Sequence, residues 1–333
     1  MRWYIRVDHT ANTMNNLSSE QFLVADVGGT KINLSIAAFD KTLKLHNTKK
    51  YPTQECQSFP ELIRQYLKSI SLRPKRGCFA VAGPVEEDHV KMTNSSLVID
   101  KKMILEENLL EEVLLINDFD ALGFAVNVVE ENELHTLNQG RARKEKAIAI
   151  VGAGTGLGKS IAIFDSAKKI YRPIPSEGGH ADLPTASMQE REIISHMNLS
   201  VPASYEDLLS GRGLEGIYDF FQTKHYKDAG RKKAAKEITE NISHCPCCRK
   251  AFACFVTFYA RCAKNFALDT LAEGGVYIAG GIAAKTSAHF EGIFMEEFAR
   301  HSLESYRSIL EKIPVKIMTD PHISLKGAAV ALT

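Results

Sequence analysis

The chain has 333 residues, 44% hydrophobic and 24% charged, a composition that excludes disordered, collagen-like and coiled-coil classes. Lysine and arginine number 41 against 40 acidic residues, and a net charge of +1 lacks the basic excess of a nucleic-acid binder. No apolar run reaches the ~18 residues of a membrane-spanning helix, and residues 1–20 hold no apolar signal core. At about 150 residues per domain the length predicts two domains. The cysteines are odd in number and five fall between Cys245 and Cys262, which suits reduced thiols and a cytoplasmic protein better than a disulfide framework.

Residues 1–20 are polar and aperiodic. Phe22–Asp26 reads as a strand, broken at Val27-Gly-Gly-Thr30, and Ile32–Phe39 as its hairpin partner. Residues 59–70 have helical spacing, with Leu62, Ile63, Tyr66, Leu67 and Ile70 on one face. Cys78–Ala82 and Leu114–Ile116 read as strands, the second followed by a helix from Ala121 to Val129. Ala147–Val151, the turn Gly152–Gly158 and Lys159–Phe164 form a second strand–turn–strand unit. Residues 231–272 are mostly helical in pattern. Gly275–Ala279 and Val315–Met318 read as strands, each with a helix after it. Mixed strands and helices in this order predict an α/β fold. An offset of 125 residues brings Gly29 and Thr30 onto Gly154 and Thr155, and Ser35, Ile36, Ala37 and Phe39 onto Ser160, Ile161, Ala162 and Phe164. That is a weak repeat of domain size, open also to chance similarity of apolar strands.

Asp26-Val-Gly-Gly-Thr30 sets a carboxylate beside glycines whose backbone N–H groups can approach a phosphate; Asp26 suits the water shell of Mg²⁺, and an ordinary hairpin turn is the plain alternative. Ala153-x-x-x-x-Gly158-Lys159-Ser160 fits a relaxed P-loop, but that loop leads into a helix, and here an alternating β-branched run follows. Lys159 is therefore expected to cost little on replacement. Asn117-Asp118, after a buried strand, can orient a hydroxyl or simply cap a helix. Glu177 and His180 flank two glycines, a pair suited to vicinal sugar hydroxyls or to a structural turn, and Glu206 reads alternatively as a solvated helix residue. Cys245 and Cys248 have C-x-x-C spacing with Cys254, Cys262 and His225 in reach of a zinc reading; no second C-x-x-C exists, which favours buried reduced thiols and no metal.

Taken in order, Ala25-Asp-Val-Gly-Gly-Thr30, Ala82-Gly-Pro84, Met92-Thr-Asn94, Ile116-Asn-Asp-Phe119, Gly152–Gly158, Glu177-Gly-Gly-His180, Leu209-Ser-Gly211 and Gly275–Gly281 resemble the bacterial glucokinase family, from about residue 20 to the end. The resemblance implies two duplicated actin-like/hexokinase (ribonuclease H-like) α/β domains around a cleft: a small domain of 21–128 plus 319–333 and a large one of 129–318, after a tail, 1–20, with no family counterpart. It implies a cytoplasmic homodimer, with no membrane or nucleic-acid partner, that phosphorylates the 6-hydroxyl of glucose with ATP and Mg²⁺. Asp118 would be the general base, and Asn94, Asn117, Glu177, His180 and Glu206 the sugar ligands. Ala25, Asp26, Val27, Gly28, Gly29 and Thr30 would hold ATP phosphates from one side, Gly154, Thr155 and Gly156 from the other, with Gly280 and Gly281 against the adenosine. No metal ligand is implied beyond Mg²⁺ carried with ATP and bridged by water to Asp26. Lys31 and Lys159 depart from the family pattern. Competing readings are a ROK-type kinase of mannose or an N-acetylated sugar, which would carry zinc, a non-catalytic sugar-responsive repressor, and a P-loop NTPase.

Overall fold

The computed structural model describes residues 20–86, 88–92, 97–225 and 232–333. They divide into two compact units: residues up to Glu130 with Ala162–Pro175 and His322–Thr333, and Glu131–Ile161 with Ser176–Pro321.

In the first unit, β1 (Gln21–Val27), β2 (Lys31–Asp40) and β3 (Thr42–Pro52) form an antiparallel meander. β4 (Arg76–Val81) pairs parallel with β1; β5 (His89–Lys91) and β6 (Val98–Asp100) form a small separate pair; β7 (Glu112–Asn117) lies parallel to β4. The main sheet runs β3-β2-β1-β4-β7. Alternation along β1 explains its central place: Leu23, Ala25 and Val27 join one core, Phe22 and Val24 another. The first core is covered by the helix Phe59–Ile70, which the periodicity predicts to the residue; Ser58 caps it, and Leu62, Ile63, Tyr66 and Leu67 are buried. The second is covered by Ile323–Val330, the helix expected after the last strand and read from sequence as Lys326–Leu332. That helix meets Asp118–Ala125 at Gly327, where a Cβ would stand 1.7 Å from the Ala121 carbonyl oxygen. Only glycine lets the helices approach so closely.

The second main sheet holds β8 (Leu134–Asn138), β9 (Ile148–Ala153), β10 (Leu157–Asp165), β11 (Ile170–Ser176), β12 (Gly275–Ala279) and β13 (Val315–Met318) in the order β11-β10-β9-β12-β13-β8, with the end of β10 and most of β11 in the Ala162–Pro175 segment of the first unit. β12 runs parallel to β9 and β13, and β8 closes the edge antiparallel to β13. Through the core runs the helix Pro246–Thr270, whose Tyr259 is fully buried. The Tyr259 hydroxyl accepts from the Ala153 N–H at 2.9 Å and lies 3.1 Å from the carbonyl oxygens of both Val151 and Ala279. It ties together the ends of β9 and β12. Arg261 of the same helix is buried between Glu190 (2.9 and 3.0 Å) and Glu297 (2.9 Å). These charge-assisted bonds offset much of the cost of removing three ions from water.

Candidate active site

The predicted site residues within the described part fall into two groups, one in each unit; Asn94 lies outside the described residues. In the first unit, Asp26 is near the end of β1, opposite Asn33 of β2, whose side-chain amide donates to its carboxylate at 3.1 Å. Next comes the Gly28–Thr30 turn. The Gly28 N–H donates to the Lys31 carbonyl at 2.9 Å, and the Thr53 hydroxyl donates to the Gly28 carbonyl at 2.7 Å. Two bonds thus fix the turn.

Asn117 ends β7 and caps the following helix. Its side-chain oxygen accepts from the Phe119 N–H at 2.8 Å, and its amide donates to the Gly83 carbonyl at 3.0 Å. Capping is therefore part of its task, and the bond to Gly83 anchors the Gly83-Pro84 turn. Asp118 follows, with one carboxylate oxygen on the Phe119 N–H at 3.0 Å. Burial, and after it the charge of Asp26, pushes the Asp118 carboxyl up to about 7. Burial likewise raises Asp26, against the opposing effects of Asn33 and Lys31, and lifts Asp120 to about 6. Asp26 also has Ser324 and His322 as neighbours, at the start of the last helix. Sequence reasoning missed both, because no local pattern there marks a site. The two carboxylates, Asp26 and Asp118, supply hard oxygen donors and a shared negative charge, a donor set that fits Mg²⁺.

In the second unit the Gly154–Gly156 turn joins β9 to β10, closed by the Gly154 N–H on the Gly156 carbonyl at 2.8 Å. Glu206 is no solvated helix residue. Its carboxylate accepts from the Leu157 N–H at 2.9 Å and fills the space beside Gly156, where a Cβ would stand 2.5 Å from its Oε2. The capping box of Ser204 and Asp207 holds that short helix. Glu177 precedes a single 3-10 turn, Gly178–His180, that His180 ends, and both side chains are exposed. Gly179 packs so closely on β10 that a Cβ would meet the Leu157 carbonyl oxygen at 1.9 Å. Gly280, at φ 91°, would put a Cβ 2.3 Å from the Ala153 carbonyl oxygen, so the backbone requires glycine there, whereas a Cβ at Gly281 would meet open space.

Lys159 points inward. It lies in β10, a strand, so no helix follows the glycine loop as a P-loop needs. The residue is 5% exposed, its ammonium 4.6 Å from the Tyr205 ring centre and 5.1 Å from that of Phe266, with the Cys262 thiol hydrogen-bonded to it. A Cβ on Gly178 would touch its stem at 3.0 Å. The expectation that replacing Lys159 costs little took strand alternation to mean exposure; the face it occupies is the buried one.

A sequence profile described as Glucokinase matches residues 23–333. The chain belongs to the glucokinase family. A glucokinase of Colwellia psychrerythraea is 35% identical, with 93% of this chain and 95% of that protein covered. The crystal structure of a glucokinase from an Antarctic psychrotroph superposes with a TM-score of 0.81 at 26% identity, covering 94% of this chain and 98% of that one. A glucokinase from Balamuthia mandrillaris, solved in complex with glucose, shares the fold at a TM-score of 0.79 and 20% identity over 94% of each chain. Family membership makes the chain a sugar kinase, a transferase. Among the described residues no helix is long and apolar enough to cross a membrane.

Proposed function

We propose that this glucokinase-family chain transfers the γ-phosphoryl group of ATP to the 6-hydroxyl of glucose, with Asp118 as the general base. The observation that carries the reading is the state of Asp118. A carboxyl raised to about 7 is basic enough to take a hydroxyl proton near neutral pH, while ordinary carboxyls are far weaker bases. Its bond to Phe119 fixes one oxygen and leaves the other for the hydroxyl. Phosphoryl transfer asks the protein mainly for position and charge stabilisation. Asn94, Asn117, Glu177, His180 and Glu206 would hold the sugar, Glu206 while also bracing the Leu157 backbone. Ala25–Thr30 and Gly154–Gly156 would present N–H groups to the phosphates, with Gly280 and Gly281 at the adenosine. Asp26 would hold Mg²⁺ through its water shell, and the ion bound with ATP would supply neutralising charge.

The fold reading includes duplication. In each main sheet three strands consecutive in sequence lie in reverse order and two later strands extend from the earliest of them, β3-β2-β1-β4-β7 and β11-β10-β9-β12-β13. The two glycine turns join corresponding strands, as the offset of 125 residues predicts. On that reading the chain has a small domain of 21–128 plus 319–333 and a large one of 129–318; the compact units differ from it in grouping Ala162–Pro175 with the first. We read the protein as a cytoplasmic homodimer. A ROK-type kinase of another hexose is not favoured, given the match of residues 23–333 to the glucokinase family. Coupled ADP release across a panel of hexoses tests the function. Glucose should give the highest kcat/KM; a higher value with mannose or an N-acetylated sugar would overturn the assignment.

A further inference from the structure

The C-x-x-C pair plays no part in the phosphoryl-transfer reading, and its geometry is asymmetric. Cys245 is the N-cap of the 25-residue helix Pro246–Thr270, and its sulfur accepts from the Cys248 backbone N–H at 3.4 Å. Pro246 opens the helix without an N–H of its own, so the first free amides turn toward that sulfur. Cys245 is half-exposed, whereas Cys248 is fully buried one turn on, with its thiol hydrogen-bonded to the Cys245 sulfur. Lys233 adds positive charge beside both, itself bonded to Glu237 at 2.6 Å; Tyr218 and Cys247 are also close by. Despite partial burial, the bonds from the Cys248 and Cys247 amides and the Cys248 thiol hold Cys245 below the ordinary thiol range, while burial pushes Cys248 up to about 12. A half-exposed sulfur held below the ordinary thiol range thus sits against a buried partner pushed above it. Thiol–disulfide exchange requires that division: one thiolate to attack, one thiol in reserve to resolve. Among the described residues no group of three His, Cys, Asp or Glu side chains is placed to hold a metal ion; the side chain of His225 lies outside them.

We propose that Cys245 and Cys248 are a redox site that a small-molecule disulfide such as oxidised glutathione closes to an intramolecular disulfide. The Cys245 thiolate attacks one glutathione sulfur; the glutathione S–S bond breaks, and one glutathione leaves as thiolate and takes up a proton. Cys248 then gives up its proton and attacks the Cys245 sulfur, expelling the second glutathione. The protein dithiol loses two electrons, and one disulfide is reduced to two thiols. The bonds that favour the Cys245 thiolate stabilise the reduced form, so the pair reopens readily with reductant.

The test uses the full-length protein, reduced, desalted and incubated with oxidised glutathione, read by intact mass and non-reducing peptide mapping. The wild type should lose two hydrogens, carry no lasting glutathione, and yield one cross-linked peptide joining Cys245 to Cys248. Cys248→Ser should instead retain one glutathione on Cys245, formed roughly tenfold or more faster than on the half-exposed Cys56 of the same chain. Cys248→Ala serves if the serine variant fails to fold. Absence of the cross-link in wild type, a lasting adduct on Cys245 with Cys248 present, a rate no faster than that of Cys56, or stoichiometric zinc in protein purified without added metal would each overturn the proposal.

Discussion

Tyr259→Phe removes one oxygen atom from the second unit and leaves the ring. The lost hydroxyl accepts from the Ala153 N–H and can donate to only one of two carbonyls, Val151 or Ala279, both 3.1 Å away. Ala153 is fully buried, so its N–H has no water to turn to. An orphaned buried donor costs about 1–3 kcal/mol and the second lost bond about 1 more, so the variant should be roughly 2–4 kcal/mol less stable. Urea unfolding of both proteins measures this. Ala153 immediately precedes the Gly154 turn, so a second readout follows: the KM for ATP should rise several-fold while the KM for glucose changes little. A stability loss below about 0.5 kcal/mol would refute the bracing role of the hydroxyl, since that is the range of an inconsequential surface change.

Three other perturbations test the same reading. Because Asp118 must be ionised to act as base, kcat/KM for glucose should rise with pH through about 7; a profile flat from pH 5 to 9 contradicts the raised carboxyl. The raised value also means that the folded state keeps a proton the unfolded chain has lost, so ionisation weakens folding between about pH 4 and 7, and Asp118→Asn should gain stability relative to wild type at pH 8 compared with pH 4. Lys159→Ala empties a buried aromatic cage and should cost about 2–4 kcal/mol, whereas Lys159→Met, which refills it, should keep most stability and kcat; a dead but well-folded methionine variant would favour a phosphate-binding lysine. Gly327→Ala forces apart two helices, one of them starting at Asp118, and should lower both the melting temperature and kcat; an unchanged melting temperature would refute the close contact.

Residues whose role depends on their own strand or turn were legible in the sequence. Alternating apolar residues marked β1, β2, β9 and β10, and the paired glycines marked the turns between them. The helix at Phe59–Ile70 followed from its apolar stripe; its Ser58 cap became visible only in the structure. β3 was missed because it is an edge strand with mostly exposed side chains, so no period-2 burial shows in its composition. β8, likewise at an edge, alternates weakly. Tyr259 looked like one more aromatic residue on a buried helix, since its partners are backbone atoms of two strands distant in sequence. Lys159 was misjudged because alternation gives two faces without saying which one is covered. His322 and Ser324 reach Asp26 only through the final helix, a contact that no spacing rule predicts.

The claim that Asp118 is the base is tested most directly by Asp118→Asn. The substitution keeps the shape and the bond from the Phe119 N–H but removes the proton acceptor. With ATP and glucose saturating, kcat should fall by roughly 10²–10⁴, while the KM for glucose changes by no more than a few-fold. An Asp118→Asn enzyme with nearly normal kcat would contradict the assignment.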